Sequence, residues 1–379
     1  MKIRTITCHD CYNLGASLQA YALQHYLESM GHDVQIINYK PDYLSNHFKF
    51  GAVNNPVFNR PVIKQLYLFA KFPGRLLSLP RKWVYDRFTK TYLHLTVRYN
   101  SYDELKANPP EADTYIAGSD QIWNTLFCNG RDGAFYLDFG KQDVRRISYA
   151  ASFATKDVVP EYREFVRKEF MNFDAISIRE KVSLPLLNSL GRTDGVAVCD
   201  PVFLLSKDEW NKLADNATIE LSKERYMLVY LTDRSEAIKQ IALEIHKNTG
   251  WKIYGVGPFR ESWIDRNFVN AGPLDFVKLI NEAQYVLSNS FHATAFSLIL
   301  ERNFCVVNRK DGTNERMKSI LEDAGLGNRL LSSFKKEQLK SIDYIEVHNK
   351  LSAIIESSKQ WLNKNIYHPL TITRRHQQY

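Results

Sequence analysis

Short apolar runs alternate with helical stretches along the chain, and this alternation is the feature that most constrains its fold. Residues 2–7 form an apolar run, residues 16–30 carry an apolar stripe of helical spacing, and the run DVQIINY follows. This strand, helix, strand order predicts a parallel sheet. The same alternation resumes at RYMLVYLTD and continues to FCVVN. The sequence therefore predicts an α/β protein with two Rossmann-like domains that face each other across a cleft.

The length of the chain supports this division, because 379 residues exceed the usual size of a single core. We expect an N-terminal domain at 1–205, which contains a basic, aromatic insertion at 57–94. A C-terminal domain is expected at 206–334, followed by terminal helices and a tail at 335–379.

The sequence predicts a cytoplasmic protein without a metal. No run of eighteen apolar residues occurs, and the opening MKIRTITC lacks the pattern of a secretory signal. The five cysteines are an odd number and most lie beside apolar runs, which favours reduced thiols. The CHDC run could supply part of a zinc site, but no second pair of ligands with matching spacing completes it.

The insertion has an unusual balance of charge. Residues 57–90 contain eight Lys or Arg residues and a single acid, Asp86, among many aromatic and aliphatic side chains. Such a stretch could bind anionic lipid headgroups. It could equally be a helical insertion whose aromatic side chains pack inward while its cations face water. Nucleic acid is disfavoured, because no nucleic-acid-binding motif accompanies the stretch.

Polar residues stand at the carboxyl ends of most apolar runs, which is where open α/β sheets bind ligands. His292 lies where the run YVLSNS gives way to a helix expected to begin near Ala293. Unpaired N–H groups and the helix dipole favour an anion at such a terminus, with Ser290 and Thr294 beside it. A histidine there can also transfer a proton, although it could simply cap the helix.

Other candidate residues follow neighbouring runs. Arg309, Lys310 and Arg316 come directly after FCVVN and could hold a carboxylate or phosphate. Arg179 also ends a run, although Glu180 could pair with it at the surface. Two further turns carry residues that could bind the hydroxyls of a sugar: Asn13, and then Asp120, Gln121 and Asn124. Trp123, in the second of these turns, could stack on a sugar ring, although a buried position in the core is the alternative.

Several motifs, taken in order, resemble the polysaccharide pyruvyl transferase family. They extend from about residue 13 to residue 329 and leave the basic insertion and the C-terminal tail outside the resemblance: NLGASLQAYALQHYL, GSDQIWN, ISYAASFA, SIRE, DPVFLL, SNSFHATAFSLIL and NERMKSILEDAGL. The resemblance implies a fold similar to that of B-type glycosyltransferases. It also implies transfer of pyruvate from phosphoenolpyruvate to two hydroxyls of a sugar, forming a cyclic ketal and releasing phosphate.

The resemblance implies roles for particular residues. The family's S-F-H-G histidine and S-x-R-E arginine, implicated in donor handling, correspond to His292 and Arg179. The sequence departs from the family pattern at Ala293 and Ala154, where glycine is common. We expect the C-terminal domain to bind the donor through Ser290, Thr294, Arg309, Lys310 and Arg316, and the N-terminal domain to bind the acceptor through Asn13, Asp120, Gln121, Trp123 and Asn124.

The expected partners follow from this reading. Phosphoenolpyruvate is a co-substrate, and no other cofactor is expected. The acceptor is expected to be a sugar in a polysaccharide or a lipid-linked oligosaccharide of capsule or exopolysaccharide biosynthesis, and the lipid-linked form would favour peripheral association with the inner face of the membrane. Two alternatives stay open: a nucleotide-sugar-dependent glycosyltransferase of the same architecture, and a non-catalytic module that binds membranes or polyanions.

Overall fold

The computed structural model describes residues 1–45, 51, 60–308 and 315–367. Two parallel sheets organise these residues. We call residues 1–205 the first lobe and residues 206–334 the second lobe.

The first lobe is built on a five-stranded sheet with strand order β3-β2-β1-β4-β5. A short parallel pair of β6 and β7 continues it through bridges from Ala151 to Ile178 and from Ile147 to Ala175. Its elements are β1 (Lys2–Ile6), α1 (Leu14–Ser29), β2 (Asp33–Tyr39), α2 (Asp42–Ser45), α3 (Pro61–Leu77), α4 (Leu79–Tyr92), β3 (Leu95–Tyr99), α5 (Tyr102–Ala107), β4 (Thr114–Ala117), β5 (Arg145–Ser148), α6 (Arg163–Glu169), β6 (Ser177–Ile178), α7 (Leu184–Ser189) and β7 (Val196–Ala197).

The second lobe carries a six-stranded parallel sheet with strand order β10-β9-β8-β11-β12-β13. Its elements, together with the helix that follows it, are α8 (Lys207–Ala214), β8 (Tyr226–Tyr230), α9 (Glu236–Thr249), β9 (Lys252–Val256), β10 (Arg266–Phe268), α10 (Pro273–Glu282), β11 (Tyr285–Ser288), α11 (Phe291–Ile299), β12 (Phe304–Val307), α12 (Glu315–Asp323), β13 (Leu330–Leu331) and α13 (Tyr344–Tyr367). The expected boundary at residue 205 lies between β7 and α8, where the chain leaves one sheet for the other.

The last helix returns to the first lobe. The backbone N–H of Cys199, just after β7, donates to Ser358 Oγ of α13 over 2.9 Å. At the far end of the helix, Tyr367 and His32 form a hydrogen bond of 3.0 Å. The terminal helix predicted from the sequence therefore fastens the second lobe to the first. Residues 368–379 of the predicted tail lie outside the described residues.

The described part of the basic insertion forms two helices, α3 and α4. Tyr85 and Phe88 of α4 are buried in the core, whereas most side chains of α3 are exposed. The aromatic side chains therefore pack inward at Tyr85 and Phe88 of α4, but not at Trp83 of the same helix or in most of α3. Among the described residues, every helix is too short or too polar to cross a bilayer.

Candidate active site

Residues that follow three strands, two in the first lobe and one in the second, come together around the carboxylate of Asp200. Arg179 follows β6, Asp200 follows β7, and His292 lies in the first turn of α11, which begins two residues earlier than the sequence predicted. Arg179 Nη1 donates to Asp200 Oδ2 over 2.8 Å, and His292 Nε2 lies 3.8 Å from the same oxygen. The two residues expected to act on the donor, though 113 positions apart by their numbers, thus share one neighbour.

Asp200 is held from several sides. Its Oδ2 atom also accepts a hydrogen bond from Ser119 Oγ, and Oδ1 accepts one from the backbone N–H of Val202. Burial alone would raise the pKa of Asp200, but His292, at a pH where its ring is protonated, and Arg179 outweigh burial and hold that pKa below its usual value. Sequence reasoning did not single out Asp200, although it lies in the quoted motif DPVFLL. Its place before a proline at a strand end was the available signal.

Arg179 is buried among carboxylates. Its Nε donates to Glu180 Oε1 over 3.0 Å, its Nη2 lies 3.8 Å from Asp120 Oδ1, and its guanidinium stacks on Phe291 at 4.5 Å. These carboxylates raise the pKa of Arg179 although burial opposes its charge. The pair with Glu180 exists, but the expectation of a surface pair is wrong, since both side chains are at most 4% exposed.

The ring of His292 is enclosed by the first lobe. A Cβ atom built on Gly15, near the start of α1, would lie 2.0 Å from His292 Nδ1, so only glycine allows this approach. His292 Nε2 is buried and has no hydrogen-bond partner. Burial lowers the pKa of His292, although Asp200 and Asp120 partly oppose this effect. The imidazole is therefore neutral near pH 7 and has a nitrogen available for a ligand.

The N-terminus of α11 is arranged differently from the simple capping alternative. Ser290, not His292, is the N-cap residue, and its side chain makes no capping hydrogen bond. The hydroxyl of Thr294 donates to the Ser290 carbonyl over 3.0 Å. The Thr294 hydroxyl proton is therefore used inside the helix, while the first backbone N–H groups of α11 remain the donors suited to an anion.

A cavity of about 420 Å³ lies beside Arg179. The first lobe contributes Arg179 and Lys181, the second lobe contributes Arg316 and Phe291, and α13 closes one side with Leu351. Cations from both lobes therefore line one space, together with the carboxylates of Glu180, Asp200 and Asp323. Asp200 and Phe291, the two neighbours of His292, line this cavity, whereas His292 itself does not. Arg309 and Lys310, two of the expected donor ligands, lie outside the described residues.

The residues expected to bind the acceptor have different surroundings. Asn13 is exposed and caps α1 by accepting the N–H of Ala16, and Asp120 lies at the rim of the site. The side chains of Gln121 and Asn124 hydrogen bond to each other over 3.1 Å. The structure places these four residues close to the end of β1 or β4 and leaves their role a prediction.

Trp123 requires a correction. Its side chain is fully buried, and its indole N–H donates to the Phe135 carbonyl over 3.1 Å. Phe153 and Phe170 pack around the ring. The ring therefore has no free face for a sugar, and the expectation that Trp123 stacks on the acceptor is wrong. A large aromatic residue next to a polar turn does not reveal from sequence which way its side chain points.

Left-handed backbone conformations cluster around the same strand ends. Tyr12, Asp120, Ala150 and Ala154 have φ values of 50°, 74°, 52° and 56°. Glycine adopts these values freely and Asp tolerates them, whereas for Tyr and Ala they are strained. Ala154 is one of the positions where the resembling family commonly has glycine, and its positive φ explains that preference. Ala293, the other departure, is buried within α11 and has ordinary helical surroundings.

The described ranges contain no group of three His, Cys, Asp or Glu side chains placed to hold a metal ion. Cys8 and Cys11 of the CHDC run lie near each other, with the Cys11 thiol hydrogen bonded to the Cys8 carbonyl over 3.1 Å. Burial raises the pKa of both thiols, so neither is a reactive thiolate at neutral pH.

Two parallel sheets that meet at a cleft through the carboxyl ends of their strands define a protein of the B-type glycosyltransferase fold. UDP-GlcNAc 2-epimerase from Neisseria meningitidis, solved with UDP-GlcNAc bound, is similar with a TM-score of 0.52 and 11% identity over 97% of this chain and 96% of that one. A putative UDP-N-acetylglucosamine 2-epimerase from Listeria monocytogenes is similar with a TM-score of 0.50 and 11% identity over 98% of this chain and 92% of that one. At this identity the likeness shows the fold alone.

The family is shown by sequence. The model of the polysaccharide pyruvyl transferase family matches residues 13–311, which is more than three quarters of the chain. The chain therefore belongs to the polysaccharide pyruvyl transferase family. Membership makes it a transferase of polysaccharide biosynthesis with a pyruvyl donor and a polysaccharide acceptor. A search of curated proteins found no match.

Proposed function

We propose that this protein transfers the pyruvyl group of phosphoenolpyruvate to two hydroxyls of one sugar, forming a cyclic ketal and releasing phosphate. The observation that carries the proposal is the convergence of Arg179 and His292 on Asp200 in a chain of this family. The acceptor we propose is a lipid-linked oligosaccharide at the cytoplasmic face of the membrane, although the chemistry requires only two neighbouring hydroxyls.

The reaction balances because the two hydroxyls release two protons, and C3 and the departing phosphate take up one each. A proton adds to C3 of the enolpyruvate, and the cationic C2 is attacked by the first hydroxyl, which loses its proton. The C2–O bond to phosphate then breaks, and the second hydroxyl attacks C2 and loses its proton. One of the two hydroxyl protons replaces the proton delivered to C3, and the other leaves with phosphate. The enzyme must therefore supply one acid and accept protons from both hydroxyls.

We propose that the donor occupies the cavity beside Arg179. The donor carries about three negative charges, and an anion of this kind is stabilised by arginine forks and by helix N-termini. Arg179 is largely neutralised by Glu180 and Asp200, so the remaining attraction is assigned to Arg316, Lys181 and the first N–H groups of α11. The Nη2 atom of Arg179 lacks a hydrogen-bond partner, so this part of the side chain is assigned to the donor.

His292 is assigned as the proton donor to C3 or to the departing phosphate. Its imidazole is neutral without the donor because burial lowers its pKa. A trianion placed nearby would raise that pKa, so proton uptake accompanies donor binding. Asp200 is assigned as the positioning residue, because it lies against both Arg179 and His292.

The test measures phosphate release from phosphoenolpyruvate with a panel of lipid-linked and soluble sugar acceptors. With the correct acceptor, His292→Ala should lower the rate at saturating donor by about 10² to 10⁴, the usual contribution of positioned acid catalysis. The control is His348→Ala, which removes an exposed imidazole on α13 and should keep the wild-type rate. A loss below about tenfold in His292→Ala would remove the histidine from the mechanism.

A second measurement separates the proposal from the glycosyltransferase alternative. A ligand at about 100 times its dissociation constant adds about 2.7 kcal/mol of stability. Phosphoenolpyruvate should therefore raise the melting temperature, whereas UDP-GlcNAc should not. The opposite pattern would favour a nucleotide-sugar donor.

A further inference from the structure

Helix α3 presents its apolar side to the solvent. Its most exposed apolar side chains are Phe69 at 83%, Leu77 at 79% and Leu66 at 66%, with Phe72 and Leu76 also about half exposed. At 100° per residue these side chains fall within one arc of the helix surface. A surface helix normally turns such a stripe toward the core, so α3 has the reverse orientation.

The opposite side of α3 faces the protein. Lys64, Tyr67, Leu68 and Arg75 on that side are partly buried, and Lys71 lies 5.9 Å from the centre of the Tyr67 ring. The neighbouring helix adds a further exposed aromatic side chain, Trp83, at 62%. Other exposed apolar residues, such as Val97 and Ile345, stand in different elements and do not form such a stripe.

Cations lie behind this apolar face on α3 and beside it on α4. Residues 60–90 hold eight Lys or Arg residues and one acid, Asp86, which pairs with Lys82. Lys71, Arg87 and Lys90 are exposed. Apolar and aromatic side chains next to cations match the chemistry of an anionic lipid surface, where the former enter the headgroup region and the latter attract the lipid charge.

A second copy of the chain fits this face less well. A two-fold contact through α3 would place the same patch on both sides of the interface. The exposed cations near the patch, Lys71, Arg87 and Lys90, would then come closer to those of the other copy, and like charges close together are unfavourable. An anionic bilayer instead supplies opposite charge and an apolar layer together.

We propose that the exposed apolar side of α3, with Trp83 of α4, docks on the surface of an anionic phospholipid bilayer. The helix would lie in the plane of the interface with Leu66, Phe69 and Leu77 inserted among the headgroups. This inference does not depend on the proposed function, because it concerns a surface away from the candidate active site.

Helix α4, which follows α3, contacts residues of both lobes near the cleft. Arg81 donates to the Tyr12 carbonyl over 3.1 Å, and the Tyr12 hydroxyl donates to Asp86 over 3.1 Å. A Cβ atom on Gly272 would lie 2.2 Å from a methyl carbon of Val84, so α4 also packs on the start of α10. A bilayer bound at α3 would therefore have a defined orientation relative to both lobes.

The test is flotation of the full chain with vesicles of phosphatidylcholine alone or with about one third phosphatidylglycerol. We expect binding only to the anionic vesicles, weakened at least about tenfold when salt rises from about 0.1 M to 0.5 M. The double variant Phe69→Ser and Leu77→Ser should lose at least about tenfold in binding, whereas Ile345→Ser, which alters a 76% exposed residue of α13, should bind like the wild type.

Several outcomes would overturn the proposal. Equal binding to neutral and anionic vesicles, or unchanged binding by the double variant, would each contradict it. A wild-type dimer that the double variant converts to a monomer, without vesicle binding, would assign the face to a second copy. Circular dichroism and the melting temperature should match those of the wild type, since both replaced side chains are exposed.

Discussion

At the scale of single residues, the site depends on one very close approach between the lobes. The backbone at Gly15 touches the ring of His292, and Asp200 lies on another side of the ring. Neither contact is suggested by distance along the chain. The position of the imidazole is therefore set by a glycine and a carboxylate, both from the first lobe.

Gly15→Ala should impair activity without unfolding the protein. The added methyl would meet the imidazole at 2.0 Å from Nδ1, which forces the ring to move. Because a displacement of about 1 Å can cost about 10² in rate, we expect at least a tenfold loss at saturating donor. The matched control is Gly74→Ala in α3, where a Cβ meets nothing within 4 Å.

Gly74→Ala should keep full activity and raise the free energy of unfolding by up to about 1 kcal/mol, the helix preference of alanine over glycine. Wild-type activity in Gly15→Ala would show that His292 has room to move, and would contradict the close contact.

Lowering the pH should reduce the free energy of unfolding, partly through protonation of His292. Burial lowers the pKa of His292 in the folded protein below 6.5, the ordinary value that applies to the unfolded chain. At a pH between the folded and the unfolded pKa, the unfolded chain therefore binds more protons than the folded one. The free energy of unfolding should therefore fall as the pH drops below about 6.5. Calorimetry between about pH 7 and pH 5 should show a smaller pH dependence for His292→Gln than for the wild type.

The matched variant for this measurement is His348→Gln, which removes a half-exposed histidine. Equal pH dependence of stability in the wild type and in His292→Gln would mean that His292 has the same pKa in the folded and the unfolded protein, which would contradict the prediction.

At the scale of elements, α13 connects the lobes. Tyr26 of α1 and Asn363 form a hydrogen bond of 3.4 Å, and the Tyr344 hydroxyl donates to the Ser297 carbonyl over 3.0 Å. Leu362 and Ile366 are buried in the largest core cluster. One helix thus contacts α1 in the first lobe and α11 in the second.

Leu362→Ala should destabilise the protein by about 2 to 5 kcal/mol, the usual cost of a cavity at a fully buried leucine. Ile345→Ala on the same helix changes a residue that is 76% exposed and should alter stability by less than about 0.5 kcal/mol. Chemical denaturation measures both values. Similar effects of the two variants would indicate that α13 does not pack as described.

At the scale of the whole molecule, the lobes share one core. The largest apolar cluster contains Leu14 and Ile147 from the first lobe, Val286 and Phe304 from the second, and Leu362 from α13. Two further clusters lie one in each lobe. A continuous core across the division predicts that the lobes unfold together.

Calorimetry should therefore show one transition, with calorimetric and van't Hoff enthalpies in agreement. Two separate transitions would show that the shared cluster does not couple the lobes. Leu362→Ala offers a direct comparison, because weakening the shared core should begin to separate the transitions.

The sequence by itself determined the two parallel arrays, the main helices and the positions of polar residues at strand ends. It could do so because hydrophobic periodicity and helix caps depend on near neighbours in the chain. Helix α1 and strand β2, for example, lie within two residues of their predicted bounds. The motifs around Arg179 and His292 also indicated the family that the later match confirmed.

The tertiary structure alone decided how those residues meet. It joined Arg179 and His292 through Asp200, buried Trp123, turned the apolar side of α3 outward and brought α13 back to the first lobe. Each of these outcomes depends on contacts between residues far apart in the chain. Periodicity indicates that a side chain belongs to an apolar face, but only packing determines what that face contacts.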